Sequence, residues 1–267
     1  MQSNRVRLML VVLLGVFAFS AVATATAQAE EAPFWSVGGA RLEEGKTHYT
    51  TTKIYDVTGK ENGFTMSAAG KSIHCESVRL KEGVFLGSSA GNPGTTEEII
   101  ELFGGCTVTN NGSSCKPVEP IVTNNLKSEL VETEKGEKGS LLTELKPETG
   151  VRIMTLHFEG TCTQKETFVE GELAGQVRTD PNNGELGELV TLPNGKKEAH
   201  SWLLNFPAEP IKEVWLIKEG TGSRVKLKEL RAASEPATIV GTVLGLLAKK
   251  NSSGGFESEE VNWSPLP

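Results

Sequence analysis

Beyond residue 30, no stretch of this chain sustains the apolar stripe of an amphipathic helix over twelve residues or more. Short runs rich in β-branched, aromatic and aliphatic residues take its place, divided by Gly, Asn and Pro. Thr47–Val57 (THYTTTKIYDV), Phe64–Ala68 (FTMSA), Ser72–Leu80 (SIHCESVRL) and Val84–Gly87 (VFLG) are divided by Ala69-Gly70-Lys71 and Lys81-Glu82-Gly83. Ile121–Thr133, Ser140–Leu145, Val151–Phe158 and Thr167–Thr179 continue the series. A strand plus its turn recurs roughly every ten residues, a rhythm of sandwiches and barrels rather than of βαβ units. The expected fold class is therefore all-β, an antiparallel sandwich or barrel-like assembly. One short helix is allowed for at Thr95–Phe103, where Glu97-Glu98 precedes Ile99, Ile100 and Phe103.

The first 29 residues stand apart. Arg5 and Arg7 precede the twelve-residue apolar run Leu8–Phe19, and two overlapping A-x-A sites follow at Ala25–Ala27 and Ala27–Ala29. That order is expected of a secretory signal peptide, and the run is well short of the ~20 residues a membrane span needs. Its removal takes two arginines and no acids, so the net charge moves from −7 to −9. An acidic chain without a Lys/Arg cluster lacks the electrostatic footprint of a nucleic-acid or anionic-lipid binder. No membrane span is expected once the signal is gone. The remainder reads as a four-cysteine β domain, residues 30–180, and a cysteine-free β segment, 181–267, that packs on the first or completes it. The linker candidate between them is Asp180–Gly195. Ala237–Ala248 (ATIVGTVLGLLA) reads as a buried strand or strand pair with a core helix as the alternative, and the tail Asn251–Pro267 reads as mobile.

Cys75, Cys106, Cys115 and Cys162 all follow the signal. An even count in an exported chain implies two disulfides, whereas zinc needs closer pairs than the eight-residue gap between Cys106 and Cys115. Between those two lies TVTNNGSS, a hairpin signal at Asn110-Asn111-Gly112. A four-residue loop there sets Cys106 opposite Cys115 and leaves Cys75 to pair with Cys162. The competing pairing is Cys75–Cys106 with Cys115–Cys162, since a one-residue slip of register removes the facing geometry.

In order along the chain stand Ile73–Cys75 (IHC), GVFLG and NPGT within Gly83–Thr95, and Gly104–Cys106 (GGC). Cys115, IVTNNLKSELVE, LKPETG, FEGTC and EGELAG follow, ending at Gly175. Together these segments resemble a family of uncharacterised exported proteins of high-GC Gram-positive bacteria over roughly residues 33–180. The resemblance implies a secreted β-rich domain with four paired cysteines and brings no catalytic residues with it.

Local motifs are near-misses. Gly87-Ser88-Ser89-Ala90-Gly91 fits G-x-S-x-G, but Asn92-Pro93-Gly94 cannot open the helix that a nucleophile elbow needs, so Ser89 reads as a turn residue. Ala68–Ser72 (AAGKS) lacks the first glycine of a phosphate loop, and Asp180–Gly184 holds calcium-loop residues in the wrong register. Leu192–Gly195 (LPNG) falls short of a wall-anchoring signal. His48, His74, His157 and His200 share no ligand spacing, and no cofactor motif is found. Trp202 and Trp215 sit in apolar runs and read as core, while Trp35 and Trp263, near the ends, read as an exposed pair able to stack on sugar rings. The functional expectation is a secreted or envelope-associated, non-catalytic binding or structural module. Its partner would be polysaccharide or another envelope protein. The alternative is a glycosidase-like hydrolase with two facing carboxylates.

Overall fold

Residues Phe64–Cys75 show how this chain makes its strands. Apolar and polar side chains alternate (Phe64, Met66 and Ala68 in, Thr65 and Ser67 out), and Ala69 and Gly70 turn with φ of 49° and 69°. Two consecutive positive φ values close a two-residue hairpin loop whose twist suits its strands. In a computed structural model the described residues are 31–53, 64–109, 114–133, 141–176, 189–191, 197–199, 212–241, 244–259, 261 and 263–266. The expected signal peptide lies outside them, as do Trp202, His200 and the linker apart from Leu189–Thr191.

The described residues are all-β. The first strands are β1 (Phe34–Val37), β2 (Ala40–Arg41), β3 (Thr47–Lys53), β4 (Phe64–Ala68), β5 (Lys71–Cys75), β6 (Ser77–Leu86) and β7 (Thr95–Phe103). Next come β8 (Thr107–Val108), β9 (Cys115–Pro117), β10 (Ile121–Val122), β11 (Leu126–Glu132), β12 (Leu141–Pro147) and β13 (Arg152–Gly160). They are followed by β14 (Glu166–Glu170), β15 (Leu173–Gln176), β16 (Leu189–Thr191), β17 (Lys197–Ala199), β18 (Glu213–Lys218) and β19 (Thr221–Lys226). The last are β20 (Arg231–Ala232), β21 (Glu235–Pro236), β22 (Thr238–Gly241), β23 (Leu244–Lys250), β24 (Phe256–Ser258) and β25 (Trp263–Leu266).

All described pairings are antiparallel. A long sheet runs β15-β12-β11-β7-β6-β3-β23-β24, with β10 on β7 and the β18–β19 hairpin joined to β11. Shorter sheets run β22-β4-β5-β8 and β21-β20-β14-β13-β9. One hydrophobic cluster joins Phe85, Leu126, Leu130, Leu145 and Leu247 of the long sheet to Met66, Ile73, Leu156 and Val169 of the shorter ones. Burial of these inward faces supplies the main drive to fold, at roughly 25 cal/mol per Å² of apolar surface.

Several expectations are corrected here. Thr95–Phe103 is a strand, because Thr96, Glu98, Ile100 and Leu102 alternate inward with period two. Lys81-Glu82-Gly83 is no turn but a bulge inside β6, where the register with β7 shifts between Leu80 and Glu82. One extra residue switches the parity, so Val78 and Leu80 before it and Gly83 and Phe85 after it all face the core. Ala237–Ala248 contributes two strands, as expected, but they go to different sheets, β22 on β4 and β23 between β3 and β24. The tail is structured: β24 pairs with β23, and β25 pairs with β1 through Phe34↔Leu266, Trp35↔Pro265, Ser36↔Ser264 and Val37↔Trp263.

The disulfides are Cys75–Cys106 and Cys115–Cys162, not the expected Cys106–Cys115 and Cys75–Cys162. β8 and β9, which flank the Asn110–Gly112 signal, do not pair with each other. β8 joins β5 through His74↔Thr107, which brings Cys106 beside Cys75 with Cα atoms 4.1 Å apart. β9 joins β13 through Cys115↔Gly160, two residues before Cys162, with Cα atoms 4.7 Å apart. Each bond ties neighbouring strand ends within the shorter layer. Gly160 takes φ 75° beside this bond, and a Cβ there would run into the Ser114 carbonyl oxygen. Gly160→Ala is expected to cost at least about 2 kcal/mol, read as a lowered midpoint in thermal denaturation.

Candidate functional site

The two faces of the long sheet differ. On its core face the strands carry Phe85, Leu126, Leu130 and Leu145, and among them a polar row of buried side chains: Thr96, Glu98 and Ser128. Its opposite face carries charge. Across β7, β11 and β12 the register sets Glu97 against Lys127 and Lys127 against Lys146, with Thr95, Glu129 and Glu144 in the next row. Period two explains the division: Glu97, Lys127 and Lys146 each neighbour a residue pointing into the core.

On this outer face Lys127 Nζ lies 3.3 Å from Glu148 and 3.7 Å from Glu97. Those two carboxylates push the Lys127 ammonium above its ordinary range. Lys146 Nζ lies 3.5 Å from Glu144 and 3.8 Å from Glu129. Glu129 and Glu144 stand directly opposite each other, a like-charge pair that is unfavourable without the lysine beside it. Burial raises the Glu144 carboxyl; Lys146 opposes the shift, while Glu172 and Glu129 add to it. Beyond Glu144 the face turns apolar. Val131, Leu142 and Ala174 pack there with Val214 and Leu227, next to the β18–β19 hairpin. One end of the face is thus roofed, and the end holding Glu97, Lys127 and Glu148 is open to solvent.

The residues singled out from sequence are placed as follows. Trp35 and Trp263 do meet, with ring centroids 5.8 Å apart, but in the core and not on the surface: they are 1% and 5% exposed. Pairing of the first and last strands turns both inward onto Phe85, and Trp35 Nε1 donates to the Thr95 carbonyl at 3.1 Å. They form no platform for a sugar. All four cysteines are buried and bonded among the described residues.

Ser89 sits in the loop after β6. Its Oγ accepts from Asn92 Nδ2 at 2.8 Å, its carbonyl accepts from Asn92 N at 3.0 Å, and strand β7 follows rather than a helix. Ala68–Ser72 is the β4–β5 hairpin, and Lys71 is buried with its ammonium over the Phe158 ring at 5.2 Å. His48 Nε2 pairs with Glu259 at 3.1 Å, His74 with the Thr65 hydroxyl at 3.1 Å and His157 with Glu166 at 3.4 Å. Trp215 lies on the β18–β19 hairpin. Asp180–Gly184 and Leu192–Gly195 lie outside the described residues.

Sequence reasoning passed over the Lys127–Lys146 face and Glu98. The signal was the run Lys127-Ser128-Glu129 with Glu97-Glu98, in which charges alternate once the register is known. Neither a protein-family model, a curated protein nor a solved structure matches this chain, so the site stands on its own residues.

Proposed function

We propose that this is an exported, extracytoplasmic β module that binds or braces and does not catalyse, presenting the open end of the Lys127–Lys146 face to a polar partner. The partner class is a cell-envelope polysaccharide or an envelope protein. The observation that carries the reading is this ordered lattice of Glu97, Lys127, Glu148 and Lys146 on the solvent side of the long sheet, whose core face packs on the disulfide-braced shorter layer. Strands hold the charges in fixed register, so binding a hydroxyl-rich or zwitterionic partner orders little further chain. Two disulfides fit an oxidising compartment outside the cytoplasm, in keeping with the signal-like N-terminus.

The mature protein is expected to begin near Gln28 or Glu30. N-terminal sequencing of protein from culture supernatant checks this, and an intact Met1 contradicts it. Lys127→Ala is expected to abolish retention of the mature protein on isolated cell-wall material while changing stability by less than about 1 kcal/mol, because its ion pairs with Glu97 and Glu148 are exposed and contribute little.

A second reading, a glycosidase-like hydrolase, draws on the facing pair Glu129 and Glu144, one held towards its protonated form. Hydrolysis of wall polysaccharide that disappears in Glu144→Gln would replace the binding reading with this one.

A further inference from the structure

Glu98 is a glutamate on the wrong side of its strand. It is 5% exposed and points into the core from the middle of β7, facing Gly83 on β6 and Leu126 on β11. Gly83 carries no side chain, and a Cβ there would run into the Thr50 hydroxyl. Its oxygen accepts from the Thr96 hydroxyl at 3.4 Å, and Thr96 shares a 2.6 Å hydrogen bond with Ser128 on β11. Titratable groups on the core-facing side have other partners: His48 on β3 is held by Glu259, and Lys71 on β5 sits over Phe158. Glu132 lies at the far end of β11. Among the described residues none of them acts on the Glu98 carboxyl, which burial raises and the Thr96 bond only partly lowers.

A carboxylate buried without a cation is among the costliest groups a core can hold, and such a site favours the neutral acid. The neutral form suits this place, since a carboxylic acid can both donate and accept within the Thr96–Ser128 pair. We propose that Glu98, with Thr96 and Ser128, is a proton-operated switch in the long sheet: protonated, it lets β6, β7 and β11 pack closely on the layer behind them, and loss of the proton loosens that packing.

The direction follows from linkage. The native state holds a proton that the unfolded chain releases, so stability falls as pH rises. Burial raises the carboxyl from 4.5 to about 7, which sets the window. The folding equilibrium constant is expected to drop about tenfold per pH unit across that window, some 300-fold in all, and then to level off.

The test uses the mature, disulfide-bonded protein. Urea denaturation between pH 5 and pH 8 is expected to show about 70-fold of that fall for the wild type, with most of it gone in Glu98→Gln. Amide hydrogen exchange, corrected for its intrinsic pH dependence, is expected to lose protection in β6, β7 and β11 of the wild type as pH rises. Should the variant not fold, infrared spectroscopy of the wild type still decides, through a protonated carboxyl C=O band that is present at pH 6 and lost towards pH 8. Parallel pH profiles for wild type and variant, or no protonated carboxyl at pH 6, would overturn the proposal.

Discussion

A mature chain with all four cysteines replaced by alanine is expected to lose about 8 kcal/mol of stability. The bonds Cys75–Cys106 and Cys115–Cys162 span 31 and 47 residues. In the chain-entropy account, loops of that length restrict the unfolded ensemble by roughly 4 kcal/mol each. Domains are commonly stable by only about 5–15 kcal/mol, so the loss removes most of the margin. The bonds also sit where few other contacts substitute for them. β8 and β9 are two and three residues long, and their ladders to β5 and β13 hold two and three residue pairs. Urea denaturation of the four-alanine variant is expected to show no cooperative transition, or one displaced to very low denaturant. A loss below about 2 kcal/mol would mean that the shorter layer holds without its cross-links.

Trp35→Ala is the second large effect, expected at about 3–5 kcal/mol, the range for a buried tryptophan truncated to alanine. Trp35 is 1% exposed and stacks on Phe85 with centroids 4.4 Å apart. Gly94 packs so closely that a Cβ there would lie 2.7 Å from the indole. Removing the ring empties the space between the first strand, the loop before β7 and the last strand, and it leaves the Thr95 carbonyl without its indole donor. Chemical denaturation measures the cost. A sugar-stacking tryptophan would behave in the opposite way, losing ligand with little change in stability. A Trp35→Ala protein as stable as wild type would therefore return Trp35 to the surface.

The strands themselves were readable because their alternation is local: FTMSA and SIHC show their buried face in the order of their residues. Pairing between distant segments was not readable. β1 and β25 lie at opposite ends of the chain, and nothing in either says that they join and carry Trp35 and Trp263 inward. The cysteines failed for the same reason. The Asn110–Gly112 turn signal is local, whereas the bonds follow β8 to β5 and β9 to β13. At Thr95–Phe103 the two adjacent glutamates hid the period, because Glu98 points inward where an apolar residue is expected. Positions where local pattern and burial disagree are often those with a further role. Glu98 is such a position.

Peptide mapping without reduction tests most directly whether this is an oxidised, exported β module with these two cross-links. Trypsin is expected to release Ser72–Arg79 with Cys75, Glu82–Lys127 with Cys106 and Cys115, and Ile153–Lys165 with Cys162, since the Lys116–Pro117 bond resists cleavage. In protein recovered from culture supernatant, all three peptides should migrate as one species. Hydroxylamine cleavage between Asn111 and Gly112 should then divide it into Cys75 joined to Cys106 and Cys115 joined to Cys162. A species joining only Ser72–Arg79 to Ile153–Lys165, or free thiols at the four positions, would contradict the account.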